Sequence, residues 1–369
     1  MRLLHTSDWH LGRSLHRADL RAAQETFLDH LVDTVRDEHV DAVLVACDVY
    51  DRAVPPVDAV RMCEDALSRL RAAGARVVLI SGNHDSARRL GFGSSLFDVA
   101  GVHLRTRPEQ IASPVMLTDR HGDVAVYGIP YLEAVGGSAA AVLAGALASI
   151  RAARSGPRRI VLSHSWVTGG AVCESERDIS LGGAGQVPSS VFDGFSYVAL
   201  GHLHGRQTLD DHIRYSGSPL PYSFSEASHR KGSWLVELDG DGATRAELVP
   251  APVYRKLTVL SGTLPELLSS PKYAEFEHDF VSVTLTDLAR PEGAMDALRA
   301  RFPHVLHLEY APSGGQPDTR DYRSRVAGRD DLSIAGEFVQ HVRNTPATSG
   351  ELALLRDAFA AVPGPEEDC

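Results

Sequence analysis

The sequence predicts an α/β protein built on a mainly parallel sheet. Two observations carry this. Short apolar runs that read as buried strands alternate with helical periodicities near the N-terminus, and a β-α-β-α-β order implies parallel strands joined by right-handed crossovers. Successive runs also stop abruptly in Asp, Asn or His, at the carboxyl edge where open α/β folds hold their ligands.

Taken in order, residues 2–6 form the first strand and end in Ser7-Asp8-Trp9-His10-Leu11-Gly12. Asp8 and His10 are two apart, so on an extended strand end they share a face. A helix over about 19–38 follows from the spacing of Leu20, Phe27, Leu28, Leu31, Val32 and Val35. The run 42–46 ends in Cys47-Asp48; Pro55 and Pro56 punctuate, and a helix spans 57–73 and stops near Gly74. The run 76–80 leads into Ser81-Gly82-Asn83-His84-Asp85, where Gly82 permits an unusual backbone angle or a close approach.

Residues 86–100 read as a Gly- and Ser-rich connection. Strands are expected at 102–104 and 123–128, with a helix at 138–153. The Arg-rich stretch 151–159 reads as a solvated helix end, with a phosphate-facing patch as the alternative. The run 159–163 ends in His164. Residues 168–187, with five glycines, form a long loop of the kind that is often functional. The run 196–200 leads into Gly201-His202-Leu203-His204. Beyond it the pattern turns antiparallel, with strands at 213–216, 233–238 and 245–249 alternating like a meander. Between them, 217–224 is a rigid loop with exposed aromatics.

A first domain over 1–252 is expected. A smaller β-α-β-α-β domain follows over 253–312, then a polar linker over 313–331. The tail, 332–369, carries amphipathic helices broken at Thr345-Pro346.

Composition bounds the class. Charged residues are 23% and hydrophobic residues 43%, as in ordinary soluble proteins. No apolar run approaches membrane-span length, and no signal-peptide pattern precedes the first strand. Four scattered cysteines without a CxxC pair fit a reduced, cytoplasmic protein. The net charge of −11, taken alone, argues against a nonspecific nucleic-acid binder, although bound metal reverses the charge locally. The basic residues are nearly all Arg; the lysines are Lys231, Lys256 and Lys272.

The strand-end groups are Asp8 and His10, Asp48, Asn83 and His84, His164, and His202 and His204. One His capping a strand is ordinarily a satisfied core group, but five segments ending this way point to one crevice. Carboxylates, imidazoles and one amide suit mid-row divalent ions such as Mn, Fe or Zn, and a pure Mg site would carry fewer histidines. The donors suffice for two ions, and Asp48 is the natural bridge, since a carboxylate offers one oxygen to each. Two such ions clamp the attacking and leaving oxygens of a phosphoryl transfer and lower the pKa of a shared water.

The order D-x-H, central Asp, GNHD, lone His and GHxH resembles the calcineurin-like metallophosphoesterases over about residues 1–250. His5–Gly12, Gly82–Ser86, Tyr197–His204 and Tyr215–Leu220 resemble most closely the SbcD branch, nuclease subunits of bacterial double-strand-break repair. One departure is Cys47, where the family usually has Gly before the central Asp.

The resemblance implies a β-sandwich flanked by helices, a DNA-capping domain and a docking tail. It implies one metal on Asp8, His10, Asp48 and His204 and another on Asp48, Asn83, His164 and His202. His84 then faces the phosphate, oriented by Asp85. The implied activity is Mn-dependent exonuclease and endonuclease action on DNA ends and hairpins. The implied partners are an SbcC-like coiled-coil ATPase and a second copy of the chain, through helices near 57–73 and 86–98; the implied location is the nucleoid. The sequence contains no Gly-x4-Gly-Lys-Ser/Thr loop, so ATP use belongs to another chain. The rival readings are a phosphatase on the same scaffold and a non-catalytic DNA-end-binding subunit.

Overall fold

Alternate residues of the same strands serve different cores. Along Ala42–Cys47, Val43 and Val45 turn to one apolar cluster while Ala42, Leu44 and Ala46 turn to another, all fully buried. Val77 and Leu79 part from Val78 and Ile80 in the same way. A strand covered on both faces has to be apolar throughout, which is why these runs are continuous rather than alternating.

The computed structural model describes residues 1–133, 138–153, 156–176, 186–312, 328–343 and 345–361. The chain divides into two compact units, Met1–Leu257 and Thr258–Cys369. The first holds two six-stranded sheets. One sheet runs Thr244–Pro250, Gly232–Leu238, Arg2–Thr6, Ala42–Cys47, Arg76–Ser81, Val102–Arg105 from edge to edge. The other runs Gln207–Asp210, Ile213–Tyr215, Tyr197–Gly201, Arg159–His164, Gly122–Ile129, Val115–Asp119. Their inner faces share a core that includes Leu44, Ile80, Val126, Leu162 and Trp234. Helices Arg21–Asp37 and Val57–Ala72 cover the outer face of the first sheet through Phe27, Leu31 and Leu70. Helix Ala139–Ala152 covers the second through Leu143, Leu147 and Ile150. This is the β-sandwich flanked by helices.

The sheets meet closely at the strand ends that carry the candidate donors. Gly201 pairs with His164 in the parallel register of the second sheet. A Cβ built on Gly201 would stand 1.5 Å from the carbonyl oxygen of Ala46, in the first sheet. Only glycine permits that approach. Gly201→Ala is expected to cost at least about 3 kcal/mol, the upper range for overpacking, read as a fall in denaturation midpoint at unchanged slope. An unchanged midpoint would show that the sheets can part there without penalty.

Several local expectations are corrected. The mainly parallel sheet read from the strand–helix order is two sheets, as the resemblance implies, since a doubly covered strand reads the same in either arrangement. The meander is not continuous: Ile213–Tyr215 runs parallel to Tyr197–Gly201, while Gly232–Leu238 crosses to the other sheet and pairs antiparallel with Arg2–Thr6. Edge strands Val115–Asp119 and Gln207–Asp210 are additional; both are short and half-exposed. Residues 86–100, a connection by composition, contain two short helices, Ala87–Leu90 and Ser94–Val99, where the resemblance implies helices near 86–98. In the loop 217–224, Tyr222 is buried rather than exposed, its hydroxyl donating to the Trp9 carbonyl. Among the described arginines of 151–159, Arg151 donates to the Val191 and Asp193 carbonyls, Arg159 to that of Gly194, and Arg158 pairs with Asp119; Arg154 lies outside the described residues.

The second unit contains strands Leu257–Gly262, Phe280–Leu285 and Val305–Tyr310, the last two parallel. Helices Leu264–Ser269 and Ala294–Arg301 close its core around Leu267, Val283, Leu298 and Phe302. Helices Asp331–Arg343 and Ser349–Ala360 follow, the latter started by a reciprocal Thr348–Glu351 capping box. Phe338, Val342, Leu354 and Phe359 are exposed on them. Most of the expected linker, 313–327, lies outside the described residues. Among the described residues, no helix is long and apolar enough to cross a membrane.

Candidate metal centre

Each strand delivers its side chains by ending. Past Thr6 the backbone leaves the extended region: Asp8 has φ 51° and His10 φ 44°. This corrects the expectation that the pair shares a face by strand periodicity. His202 is likewise at φ 102°. Left-handed backbone is costly for residues with a Cβ and concentrates at functional sites. Here a cheaper glycine would leave out the side chain that the site uses. Gly82 keeps ordinary backbone, and its role is close approach: a Cβ there would lie 2.1 Å from Asp48 Oδ1.

Asp48 is the centre of the arrangement. Its Oδ2 lies 3.8 Å from His10 Nε2, 3.9 Å from His84 Nε2 and 3.5 Å from His164 Nε2. Its Oδ1 accepts the His84 backbone N–H at 2.7 Å. Two donor groups share it, His10 with Asp48 and His84, and Asp8 with Asp48 and His164. Asn83 Oδ1 is 2.9 Å from His164 Nε2. His204 Nε2 faces His10 Nε2 at 3.0 Å, about the separation of two nitrogen ligands at right angles on one ion with bonds of about 2.1 Å. The His202 ring lies 5.3 Å from that of His164. All seven expected metal ligands thus come from five segments into one region. The structure also places His84 in the first donor group, although the resemblance gives it a different role.

Burial sets the protonation states. It pushes His10 and His164 well below the ordinary imidazole range, reinforced by neighbouring histidines, and brings His204 down to about 4. These rings stay neutral and keep a lone pair for a cation. Burial raises the Asp8 carboxyl to about 7 against hydrogen bonds from Ser7 and the His202 backbone. A buried cation supplies the countercharge that reverses that cost. The donor set therefore fits divalent metal.

Asp85 acts on backbone. Its carboxylate accepts the N–H groups of Val49, Tyr50 and Gly82, each at 3.0 Å, and so ties the loop after Asp48 to the loop that carries His84. The His84 ring is held at Nδ1 by the Asp51 carbonyl at 2.7 Å. Sequence reasoning missed that carbonyl, along with Ser7, Ser175, Glu226 and Lys231. Backbone acceptors leave no mark in a side-chain pattern. Ser175 lies in the Gly-rich loop already singled out as functional, of which 177–185 lie outside the described residues. The side chain of Cys47 lies outside them too.

Comparison with known proteins gives one family. Residues 1–206, more than half of the chain, match the family model described as calcineurin-like phosphoesterase. Among solved structures, GAP50, described as the anchor in the inner membrane complex of Plasmodium, is 12% identical, with a TM-score of 0.39 over 86% of this chain and 98% of that one. That likeness is too distant to carry an argument.

Proposed function

Because this chain belongs to the calcineurin-like phosphoesterases, a family of metal-dependent phosphoester hydrolases, we propose that it is an Mn-dependent DNA nuclease, exonucleolytic on duplex ends and endonucleolytic on single strands and hairpins, in an SbcCD-type repair complex. The observation that carries the reading is the Asp48 carboxylate shared by two donor groups with His84 beside it. Two ions held by these groups would suit a phosphodiester, whose attacking and leaving oxygens both need charge stabilisation.

In this reading Asp8, His10, Asp48 and His204 hold one ion, and Asp48, Asn83, His164 and His202 the other. When bound, the ions supply an activated water and Lewis-acid stabilisation. The chain's own residues do the rest. The Asp51 carbonyl accepts from His84 Nδ1, which turns Nε2 toward the centre. In its protonated form His84 donates from Nε2 to the phosphate or to the leaving oxygen. Asp85 fixes the loop on which His84 rides.

The DNA substrate is favoured by the SbcD-like segments His5–Gly12 and Tyr215–Leu220 and by the second unit, which a small substrate does not need. Exposed Phe338, Val342, Leu354 and Phe359 suit docking of a coiled-coil ATPase partner. Exposed Val57, Val60, Phe92, Leu96 and Val99 suit a homodimer contact.

The test is cleavage of end-labelled duplex and hairpin DNA with Mn2+, alongside a small phosphodiester. Metal-dependent degradation of the DNA is expected. Hydrolysis of the small diester alone, even with the coiled-coil ATPase added, would point to a phosphatase or phosphodiesterase with another substrate. Binding to ends with no hydrolysis of either would leave a non-catalytic end-binding subunit.

A further inference from the structure

Behind the centre lies a buried ion pair that the reaction above does not use. Glu226 and Lys231 are both buried and their side chains are paired. Lys231 Nζ also donates to the His204 carbonyl at 2.8 Å and to Ser218 Oγ at 2.9 Å. Glu226 Oε1 accepts from the Ser175 hydroxyl and, at 3.2 Å, from the Tyr222 backbone N–H. Ser175 Oγ in turn lies 2.6 Å from His204 Nδ1. Glu176, the next residue, accepts the His204 backbone N–H, and Arg13 Nη2 holds the Ser175 carbonyl at 2.7 Å. One short segment therefore grips His204 by ring and by backbone.

The direction of each proton follows. Glu226 is paired with the buried Lys231 ammonium and accepts from the Ser175 hydroxyl and the Tyr222 backbone N–H, the setting of an ionised carboxylate. An ionised carboxylate only accepts, so the single Ser175 proton points to Glu226. What Ser175 then offers His204 is a lone pair, and Nδ1 must carry the hydrogen. In a neutral imidazole the other nitrogen is then the bare one, and it is Nε2 that faces His10 Nε2.

We infer that Ser175 and Glu226 are positioning residues that lock His204 in its Nδ1–H tautomer, so that Nε2 presents its lone pair to the first metal. The inference rests on the reading of His204 as a metal ligand and is independent of the substrate. Outer partners that fix a ligand's tautomer are worth about 10–100-fold in metal affinity.

The experiment is calorimetric titration of the metal-free full chain with Mn2+, for wild type, Ser175→Ala, Ser175→Thr and His204→Ala, with thermal unfolding of each as the check on folding. Ser175→Ala is expected to weaken one of two sites by about 10–100-fold, and Ser175→Thr, which keeps the hydroxyl, to recover most of the loss. Nitrogen-15 spectra of the histidines in metal-free protein give a readout free of metal and of folding loss. Wild type should show His204 protonated at Nδ1, and Ser175→Ala a mixture. If His204→Ala abolishes one site while Ser175→Ala leaves affinity and tautomer unchanged, the positioning role is overturned and the ligand reading survives. If His204→Ala leaves both sites intact, His204 is no ligand, and the proposal falls with that reading.

Discussion

Asp48→Asn is expected to remove tight binding at both metal positions and to lower turnover by about 10³-fold or more. The expectation follows from where the carboxylate stands. Its Oδ2 is within 4 Å of nitrogens from His10, His84 and His164, so one oxygen lies between the two donor groups. An amide carries no charge and offers one oxygen instead of two. Losing several kcal/mol of charge stabilisation corresponds to at least three powers of ten in rate. The fold should survive, because the remaining amide oxygen can still accept the His84 backbone N–H at the Oδ1 position. Titration with Mn2+ and thermal unfolding of the metal-free variant separate the two effects. Two unweakened sites in a folded Asp48→Asn protein would contradict the shared-carboxylate arrangement.

His84→Ala should behave oppositely, retaining two metal equivalents while turnover falls by about 10²–10⁴-fold, the range of a lost general acid or base. The ring is held at Nδ1 by a carbonyl and stands beside the centre with Nε2 inward, the geometry of a proton donor aimed at a substrate oxygen. The decisive reading is kcat against metal affinity. If affinity falls in parallel with kcat, then His84 belongs among the ligands, as its place beside His10 and Asp48 would allow.

Much of the arrangement was legible because each candidate donor lies at or just past a strand end, and parallel strands bring such ends together. Asp48, Asn83 and His164 needed no more than that. The backbone at Asp8, His10 and His202 was not legible, because periodicity assumes extended geometry and these residues leave it. The division into two sheets was hidden for a related reason: Val43 and Leu44 are equally apolar, and only packing shows that they face different cores. The support behind His204 was the least legible. Ser175, Glu226 and Lys231 come from a loop and a turn with no periodicity, and their meaning lies in hydrogen-bond direction.

The strand Arg2–Thr6 lies inside its sheet, and one neighbour, Gly232–Leu238, is among the last parts of the first unit to be made. His10 and His204, which face each other at 3.0 Å, are 194 residues apart in the chain. A ribosome-bound chain that has emitted only the residues as far as Ile129 owns Asp8, His10, Asp48 and Asn83 but not yet His164, His202 or His204. Contacts this distant in sequence form late, since loop closure must precede them. Hydrolytic competence is therefore withheld until the unit is essentially complete, and an unfinished chain carries half a centre that cannot cut.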